Sequence, residues 1–258
     1  MQVLILAADY AKELYPLTKE TPKALLPLNK RPIIEFILDE LAKTPNIDKV
    51  VIVSNHKFYK NFEIWLRYIL AENAYPNLNI SILDDGSKTF ENALGPIGDI
   101  VFSIEEAPLS DDLLIISGDN FFTFSLQDFI AYYRSHRHNT LCAGQVKDIY
   151  RLRRMGVATV DDAGNLLTMV EKPKEPSSTL AVFGLYIFNH RSLPFFQEYL
   201  QTVPTQGHLG DYVIWLQKKK PFKVHLFAGD CINFGTPESY DELREKYKQY
   251  KTKVSLMN

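Results

Sequence analysis

The chain has 258 residues, of which 46% are hydrophobic, and a formal net charge of -2. A chain of this length can bury a full core, either as one large α/β domain or as two closely packed halves. The nearly balanced charge gives no general attraction to nucleic acid or to an anionic membrane, so neither is expected as a partner. The two cysteines, Cys142 and Cys231, are far apart in the sequence, which argues against a disulfide scaffold and a structural zinc site.

The N-terminal segment has no feature of a targeting signal. It begins with the strand-like run QVLILAA and carries no basic n-region. No apolar run approaches the roughly 18 residues that a membrane span needs. We therefore expect a protein of the reducing cytoplasm.

Short apolar runs alternate with longer amphipathic segments in the first half of the chain. The runs that predict strands are VLILAA near the start, VVIVS at 50–54, ISIL at 80–83, LLIIS at 113–117 and LCAGQV at 141–146. Unbroken apolar strands are typical of burial on both faces, which predicts a mainly parallel sheet covered by helices. The segments PIIEFILDELAK and FEIWLRYILAE have apolar positions at helical spacing, so βαβ units are the simplest interpretation.

The pattern changes after about residue 125. The segments MGVATVDDAGNLLTMVEKP and LAVFGLYIFN predict strands, and the first contains a turn at D-A-G-N. Helices are predicted at RSLPFFQEYLQ and LGDYVIWLQKK, then a strand at FKVHLFAG and a charged terminal helix at YDELREKYKQYK. No internal repeat or low-complexity linker separates the halves, so we interpret the second half as an elaboration of the same domain.

Two charged residues are placed where α/β proteins bind ligands. Asp119 follows the run LLIIS, at the expected carboxyl end of a central strand, where open α/β sheets place their ligands. A carboxylate there can hold magnesium against a phosphate, although an aspartate beside Gly118 is also typical of a plain turn. Lys23 follows a proline-fixed turn, so its ammonium could contact a phosphate. A surface lysine beside a core leucine pair is the alternative.

Several motifs together resemble those of the sugar-phosphate nucleotidylyltransferases, also called nucleotide-sugar pyrophosphorylases. In the family's order, to about residue 240, they are LILAA, YPLT...TPKALLPL, ISGDN, MGV...VEKP, FGLYIFN and FGTPESY. The resemblance implies an α/β fold, a Rossmann-like αβα sandwich with a mostly parallel mixed central sheet of the nucleotide-diphospho-sugar transferase type. It also implies a single domain over residues 1–258, with a nucleotide-binding half at about 1–125, a sugar-phosphate-binding half at about 126–240 and a C-terminal helix at about 237–252.

The family's reaction, in nucleotide-sugar biosynthesis, joins a nucleoside triphosphate and a sugar 1-phosphate into an NDP-sugar and releases pyrophosphate, with Mg²⁺ as cofactor. The resemblance implies Lys23 and Asp119 as catalytic residues, and Asp119 and Asn233 as metal ligands. The implied nucleotide-binding residues are Leu6, Ala8, Asp9, Lys23, Gly95, Gly98 and Asp119. The implied sugar-phosphate-binding residues are Gly156, Glu171, Lys172 and Gly184. For residues 91–100, which include Gly95 and Gly98, a plain loop that leads into a helix remains the alternative. For Glu171 and Lys172, the alternative is a solvated ion pair.

Three positions depart from the family pattern. Asp9 and Glu13 stand where the family usually carries glycine and arginine, and Asn233 stands where it carries aspartate. Asp9 would place a carboxylate in space meant for anionic phosphate oxygens, and Glu13 reverses the sign of a charge clamp. Because losing such a clamp costs roughly a thousandfold or more in phosphoryl transfer, ordinary activity is doubtful on this pattern.

The departures leave several interpretations open. The chain could be a catalytically degenerate homologue that binds a nucleotide or sugar phosphate, a cytidylyltransferase acting on phosphocholine-like acceptors, or a chain inactivated by design. If it is active, Lys12 could take the role of the missing arginine, or Asp9 could replace the carboxylate lost at Asn233 and hold a displaced metal. The resemblance leaves the nucleobase, the acceptor and a homo-oligomeric assembly undetermined.

Overall fold

The structure is a computed structural model that describes the backbone of residues 1–203 and 207–257, and side chains up to residue 249. The strands are β1 Gln2–Leu6, β2 Pro27–Leu28, β3 Arg31–Pro32, β4 Lys49–Ser54, β5 Ile80–Asp84, β6 Leu113–Ser117, β7 Asn120–Phe122, β8 Asn139–Gln145, β9 Gly156–Val160, β10 Leu166–Glu171, β11 Leu180–Phe188, β12 Phe222–Leu226 and β13 Cys231–Asn233. The α-helices are α1 Ile33–Ala42, α2 His56–Ala71, α3 Gly95–Glu106, α4 Leu126–His136, α5 Ile149–Leu152, α6 Pro194–Thr202, α7 Leu209–Gln217 and α8 Pro237–Met257.

The main sheet has a parallel part and an antiparallel part. Its strand order is β10-β9-β11-β6-β1-β4-β5, and β8 pairs with both β11 and β12. Strand β1 is parallel to β4 and to β6, and β4 is parallel to β5. Strand β11 is antiparallel to β6, β8 and β9. The mixed central sheet expected from the sequence is confirmed, and its contiguous parallel part comes from the first half of the chain.

The apolar run at 141–146 shows what the sequence pattern does and does not determine. It forms most of β8, which is antiparallel to β11 and parallel to β12. The first six residues of β8 are buried. An unbroken apolar sequence reports burial on both faces, whichever way the neighbouring strand runs. The strand is therefore confirmed, whereas the parallel pairing expected from its sequence holds for only one neighbour.

Helices cover both faces of the sheet, as the predicted αβα sandwich requires. Val3 and Ile5 of β1 pack in one core cluster with buried residues of α1, α2 and α4. Leu4 packs in a second cluster with buried residues of α3, α6 and α7. Because successive side chains of a strand point to opposite faces, one strand supplies both layers. None of the described helices combines the length and the apolar character that a membrane span requires.

A third, smaller cluster connects three distant parts of the chain. It includes Leu14, Leu26, Phe121, Ile232, Phe234 and Leu243. Next to it, β7 and β13 form an antiparallel pair in which Asn233 is the register partner of Asn120. The segment after β1, the segment after β6 and the residues preceding α8 are therefore held together by apolar contacts.

The structure gives the ends of three helices, α3, α4 and α8, that the sequence delimits only in part or not at all. Helix α3 begins at Gly95, inside the segment 91–100. Helix α4 ends at His136, and its start is capped by Ser125, whose Oγ accepts a hydrogen bond from the backbone N–H of Asp128 at 3.3 Å. The terminal helix α8 starts at the predicted residue, Pro237, and extends a few residues beyond the predicted end.

Gly184 lies where β11 changes partners. The residues before it, Leu180–Val182, pair with β9, and those after it, Leu185–Phe188, pair with β6. A Cβ atom at Gly184 would lie 2.3 Å from Ser117 Oγ and 2.9 Å from Ser117 Cβ. The side-chain amide of Asn120 also donates a hydrogen bond to the Gly184 carbonyl, at 3.3 Å. Close packing against β6 therefore accounts for glycine at this position.

Two carboxyl groups meet between the end of β5 and helix α3. Asp85 Oδ1 accepts hydrogen bonds from the backbone N–H and the hydroxyl of Ser87, each at 2.7 Å. Asp99 is 6% exposed, and neither Asp85 Oδ2 nor Asp99 Oδ1 has a donor among the described residues. Burial, the charge of Asp85 and a hydrogen bond with it raise the pKa of Asp99 to about 8. A proton on Asp99, shared with Asp85, satisfies both oxygens.

We expect Gly184→Ala to lower the free energy of unfolding by about 1–3 kcal/mol, because the added methyl group must displace Ser117. Urea unfolding followed by circular dichroism measures this. The matched control is Gly235→Ala, since a Cβ there has no neighbour within 4 Å. Equal stability of Gly184→Ala and the unmodified chain would contradict the packing explanation.

We expect the stability of the protein to fall as the pH rises through the range in which only the folded state keeps the Asp99 proton. That range extends from the ordinary value of 3.8 to about 8. For one proton the loss is about 1.4 kcal/mol per pH unit, and it is complete above the folded-state pKa. Asp99→Asn should remove this part of the slope, because its amide donates to Asp85 at every pH.

Unfolding free energies of the unmodified chain and of Asp99→Asn, measured at pH 5 and pH 8, test this expectation. The exposed Asp162→Asn serves as the control for loss of a carboxylate. From pH 5 to pH 8, Asp99→Asn should gain stability relative to the unmodified chain, whereas Asp162→Asn should not. A constant difference would show that Asp99 holds no extra proton in the folded state.

Candidate active site

The loops after β1 and β6 meet at the carboxyl edge of the parallel strands. The backbone N–H of Gly118 donates a hydrogen bond to the Leu6 carbonyl at 2.8 Å, which extends the pairing of the two strands. From β1 the chain continues to β4 on the other side, so the strand order reverses between β1 and β6. Ligands of open α/β sheets bind in the crevice at such a reversal. Leu6, Ala8, Asp9 and Asp119 all lie at this edge.

Lys23, Asp119 and Asn233 form one contact group. The Lys23 ammonium donates a hydrogen bond to Asp119 Oδ2 and forms an ion pair with it. Asn233 Nδ2 donates to the same oxygen at 3.0 Å. Lys23 is only 8% exposed, and its Nζ lies 5.0 Å from the centre of the Phe234 ring. Residues predicted from three separate motifs are thus brought together, while their roles remain predictions.

Asn120 belongs to the same group, although nothing in the sequence selects it beyond its place in the motif ISGDN. It is 1% exposed, and its Oδ1 accepts a hydrogen bond from Asn233 Nδ2 at 3.3 Å. Its own amide reaches the carbonyl of Gly184. Gly184 is therefore connected to the group through Asn120. Close packing against Ser117 explains why a glycine occupies this position.

Asp9 holds the turn that follows β1. Its Oδ1 accepts a hydrogen bond from the backbone N–H of Ala11 at 2.9 Å, and Ala11 has a φ of 46°. The residue reaches solvent, but surrounding protein in the concave site desolvates the carboxyl and raises its pKa. The Ala11 N–H and the Lys23 charge oppose this shift, and the charges of Asp119 and Glu13 reinforce it. The Asp9 carboxylate is therefore electrostatically coupled to both Lys23 and Asp119.

Lys12 and Glu13, in the same loop, are exposed. The Lys12 ammonium lies 3.3 Å from Glu91 Oε1 and 4.3 Å from the centre of the Phe90 ring. An exposed ion pair of this kind contributes little stability, so Lys12 could leave it at low cost. In the structure, however, Lys12 contacts the segment before α3 and not the Lys23 group.

The oxygen donors nearest Asp119 suit magnesium best when Asp9 is counted with them, because the two carboxyl groups act on each other electrostatically. Asn233 Nδ2 donates a hydrogen bond to Asp119 Oδ2 at 3.0 Å, so in this arrangement the amide binds Asp119, and its role as a metal ligand remains a prediction. Within the described ranges, no three His, Cys, Asp or Glu residues are grouped so that they could hold a metal ion. The charge of Asp119 raises the pKa of Asp9, a repulsion that a divalent cation would relieve. Two carboxylates completed by phosphate oxygens and water are a common Mg²⁺ environment.

The predicted sugar-phosphate residues form a second group at the end of β10. Gly156 is the register partner of Glu171. A Cβ atom would lie 3.1 Å from Glu171 Oε2 if built on Gly156, and 2.1 Å from it if built on Gly210. The carboxyl group is thus enclosed by two glycines. Burial raises the pKa of Glu171, the Lys172 charge lowers it, and the Asp211 charge raises it.

Lys172 extends from this strand end toward α7. Its backbone φ is 47°, which is uncommon for any residue other than glycine. Its backbone N–H donates a hydrogen bond to the Met155 carbonyl at 3.1 Å. Its Nζ lies 2.6 Å from Nε2 of His208, the residue before α7. The sequence selected neither His208 nor Gly210, since GHLGD reads as an ordinary helix start.

The two glycines predicted near the nucleobase have local structural explanations. Gly95 has a φ of 71° and is the first residue of α3. A Cβ on Gly98 would lie 2.8 Å from the Cβ of Leu94. The loop-into-helix geometry left open by the sequence is observed, and contact of these glycines with a base remains a prediction.

Known proteins are similar to this chain both in sequence and in structure. A protein of Sulfolobus acidocaldarius, provisionally named a mannose-1-phosphate guanyltransferase, is 31% identical over 242 residues, which are 93% of this chain and 61% of that protein. A UTP–glucose-1-phosphate uridylyltransferase of Haloferax volcanii is 24% identical in an alignment of 262 positions, gaps included, which covers 99% of this chain and 100% of that protein.

A solved UDP-glucose pyrophosphorylase, complexed with UDP-glucose, has the same fold. Its TM-score is 0.81 at 20% identity, with 96% of this chain and 98% of that chain covered. The model of the family described as nucleotidyl transferase matches residues 2–249. Because this match spans almost the whole sequence, the chain belongs to the nucleotidyl transferase family.

Proposed function

We propose that the protein transfers a nucleotidyl group from a nucleoside triphosphate to a sugar 1-phosphate, which forms an NDP-sugar and pyrophosphate. The observation that carries this proposal is the ion pair between Lys23 and Asp119 at the crevice between β1 and β6, next to the carboxylate of Asp9. The names of the two relatives above support it. Since the chain spans 61% of the first relative, the activity of the whole protein is proposed and not transferred from that relative.

The reaction needs little covalent help from the protein. A phosphate oxygen of the acceptor attacks the α-phosphorus, and the bond from that phosphorus to the bridging oxygen breaks as pyrophosphate leaves. In this proposal the Lys23 ammonium exchanges its contact with Asp119 for a phosphate oxygen when the triphosphate binds. Holding the two substrates in line supplies most of the acceleration in such a reaction.

We propose Mg²⁺ as the cofactor, held by Asp119 and Asp9. When bound, the ion would neutralise charge on the phosphates. The coupling between the two carboxyl groups supports this assignment. Asn233 then has a positioning role, because its amide N–H holds Asp119 Oδ2. The pair Asp119 and Asn233 expected from the sequence remains a prediction.

We propose that the acceptor binds at the second group. Glu171 would accept hydrogen bonds from sugar hydroxyls, and Lys172 would contact the phosphate. The Glu171 carboxyl lies between Gly156 and Gly210, which fixes its position at the end of β10 and supports its use as a ligand-binding group. No specific observation favours the phosphocholine acceptor or the non-catalytic alternative. Because nucleoside triphosphates are cytoplasmic substrates, the proposed reaction also implies a cytoplasmic location.

Pyrophosphate release with Mg²⁺ tests the function across the common nucleoside triphosphates, a panel of sugar 1-phosphates and phosphocholine. We expect turnover with at least one sugar 1-phosphate. Lys23→Ala and Asp119→Asn should each lower kcat/KM by about 100-fold or more, because each removes a charge that acts on the phosphates.

Lys12→Ala is the matched control, since it removes a lysine of the same region that lies outside the contact group. It should leave turnover within about 2-fold of the unmodified chain. A large loss in Lys12→Ala would instead support Lys12 as the substitute for the missing arginine. Absence of pyrophosphate release with every pair of substrates would refute the proposed function.

The dependence of activity on Mg²⁺ tests the role of Asp9. Asp9→Asn keeps an oxygen that can accept the Ala11 hydrogen bond but removes the charge. The Mg²⁺ concentration for half-maximal activity should therefore rise by about 10-fold or more. Combining Asp9→Gly with Asn233→Asp should reverse much of this loss, because a carboxylate is restored beside Asp119.

Glu13→Gln provides the control, because it removes a negative charge from the same loop without touching the proposed ligands. It should alter the Mg²⁺ requirement by no more than about 3-fold. If Asp9→Asn has the Mg²⁺ requirement of the unmodified chain, Asp9 does not hold the metal.

A further inference from the structure

The contact between Lys172 and His208 brings two basic side chains together at a solvent-exposed position, with no carboxylate paired to Lys172 among the described residues. The two nitrogens are 2.6 Å apart. Within the described part of the chain, Lys172 makes no ion pair with a carboxylate, and Glu171, its neighbour, is enclosed by Gly156 and Gly210. Two basic side chains from separate elements, the end of β10 and the residue before α7, are thus directed at one point.

This contact requires a neutral histidine ring. An ammonium group has donors only, so Nε2 of His208 must accept through its lone pair. Burial and, next, the charge of Lys172 lower the pKa of His208, and the charge of Asp211 opposes them. The ring is therefore neutral near pH 7 and is held against a permanent positive charge.

The backbone at Lys172 supports a functional interpretation. Its φ of 47° lies in the left-handed region, which lysine rarely adopts. Unfavourable backbone conformations of this kind persist where the surrounding structure enforces them, and they are concentrated at ligand sites. Here the conformation directs the side chain across to α7, where Asp211 Oδ2 accepts the backbone N–H of His208 at 2.8 Å.

We propose that His208 is a second ligand for the phosphate of the acceptor, alongside Lys172. This inference deepens the proposed function and rests on it. A phosphate placed between the two side chains accepts one hydrogen bond from the ammonium and one from Nε2–H of the ring. In this proposal Nδ1 keeps its proton and Nε2 takes up a second one, from solvent or from a phosphate monoanion, and no other bond forms or breaks.

The proposal has a consequence for pH. The charged groups that act on the ring are Lys172 and Asp211, with Glu171 next to Lys172. A bound phosphate adds negative charge and raises the pKa of His208, so binding takes up a proton. Affinity for the acceptor should therefore fall as the pH rises from the pKa of His208 in the free protein to its higher pKa in the complex. A phosphate ester also titrates near pH 6, so a variant without the histidine is needed to separate the two effects.

The first test is histidine NMR with inorganic phosphate as the probe. The chain has 6 histidines, and His208→Asn identifies the signal of His208. We expect phosphate to raise the pKa of His208 by about 1 or more. His225, whose pKa is also lowered by burial, is the internal control and should not respond. A His208 signal that ignores phosphate overturns the proposal.

The second test separates this inference from the proposed function. Asparagine is a good residue to precede a helix, so His208→Asn should keep α7 folded, which thermal unfolding checks. With glucose 1-phosphate as acceptor, its KM should rise roughly 10-fold with a smaller change in kcat, and the increase of KM with pH should become shallower. A purely structural role would leave that pH dependence unchanged.

The outcomes are distinct. Pyrophosphate release by a protein whose His208 ignores phosphate would overturn this inference and leave the proposed function standing. A response of His208 to phosphate, in a protein that releases no pyrophosphate with any acceptor, would support the phosphate site and overturn the proposed reaction.

Discussion

A lysine that is 8% exposed must have an anionic partner, and much of the site follows from this constraint. Burying an unpaired ammonium group is costly, so Lys23 needs Asp119 as long as no ligand is present. The pair joins the segment after β1 to the end of β6, and Asn233 adds β13 through its hydrogen bond to Asp119. A phosphate could replace Asp119 as the partner of Lys23, which frees the carboxylate for a cation. One ion pair can therefore hold the empty site together and be exchanged when substrate binds.

The sequence predicted the existence of most elements because burial and periodicity are local properties. The strands at 50–54, 80–83 and 113–117 and the helices at α1, α2, α6 and α7 follow directly from apolar spacing. It did not predict that β11 pairs with β9 through its first residues and with β6 through its last. Strand pairing depends on contacts between residues distant in the chain, and Gly184 marks the change of partner without specifying the partners.

The same distinction applies to the site. Linear motifs selected Lys23, Asp119, Glu171 and Lys172, which occur next to recognisable strand ends or turns. They could not select His208, which meets Lys172 across 36 positions of sequence, or predict which end of the Asn233 amide faces Asp119. The carboxyl pair of Asp85 and Asp99 was also missed, because two ordinary aspartates acquire unusual protonation only when burial brings them together.

The three departures from the family pattern form one electrostatic change when they are placed in the structure. The charges of the arginine and the aspartate that the resemblance implies would cancel, whereas Asp9 and Glu13 give two negative charges and Asn233 gives none. A polyphosphate entering alone would meet repulsion from Asp9, which is coupled to Asp119. A polyphosphate entering with its divalent cation would bring the positive charge that the loop lacks. In the proposed reaction the altered loop would be a poor site for a free nucleotide and a better one for its magnesium complex, so the proposal does not require the arginine.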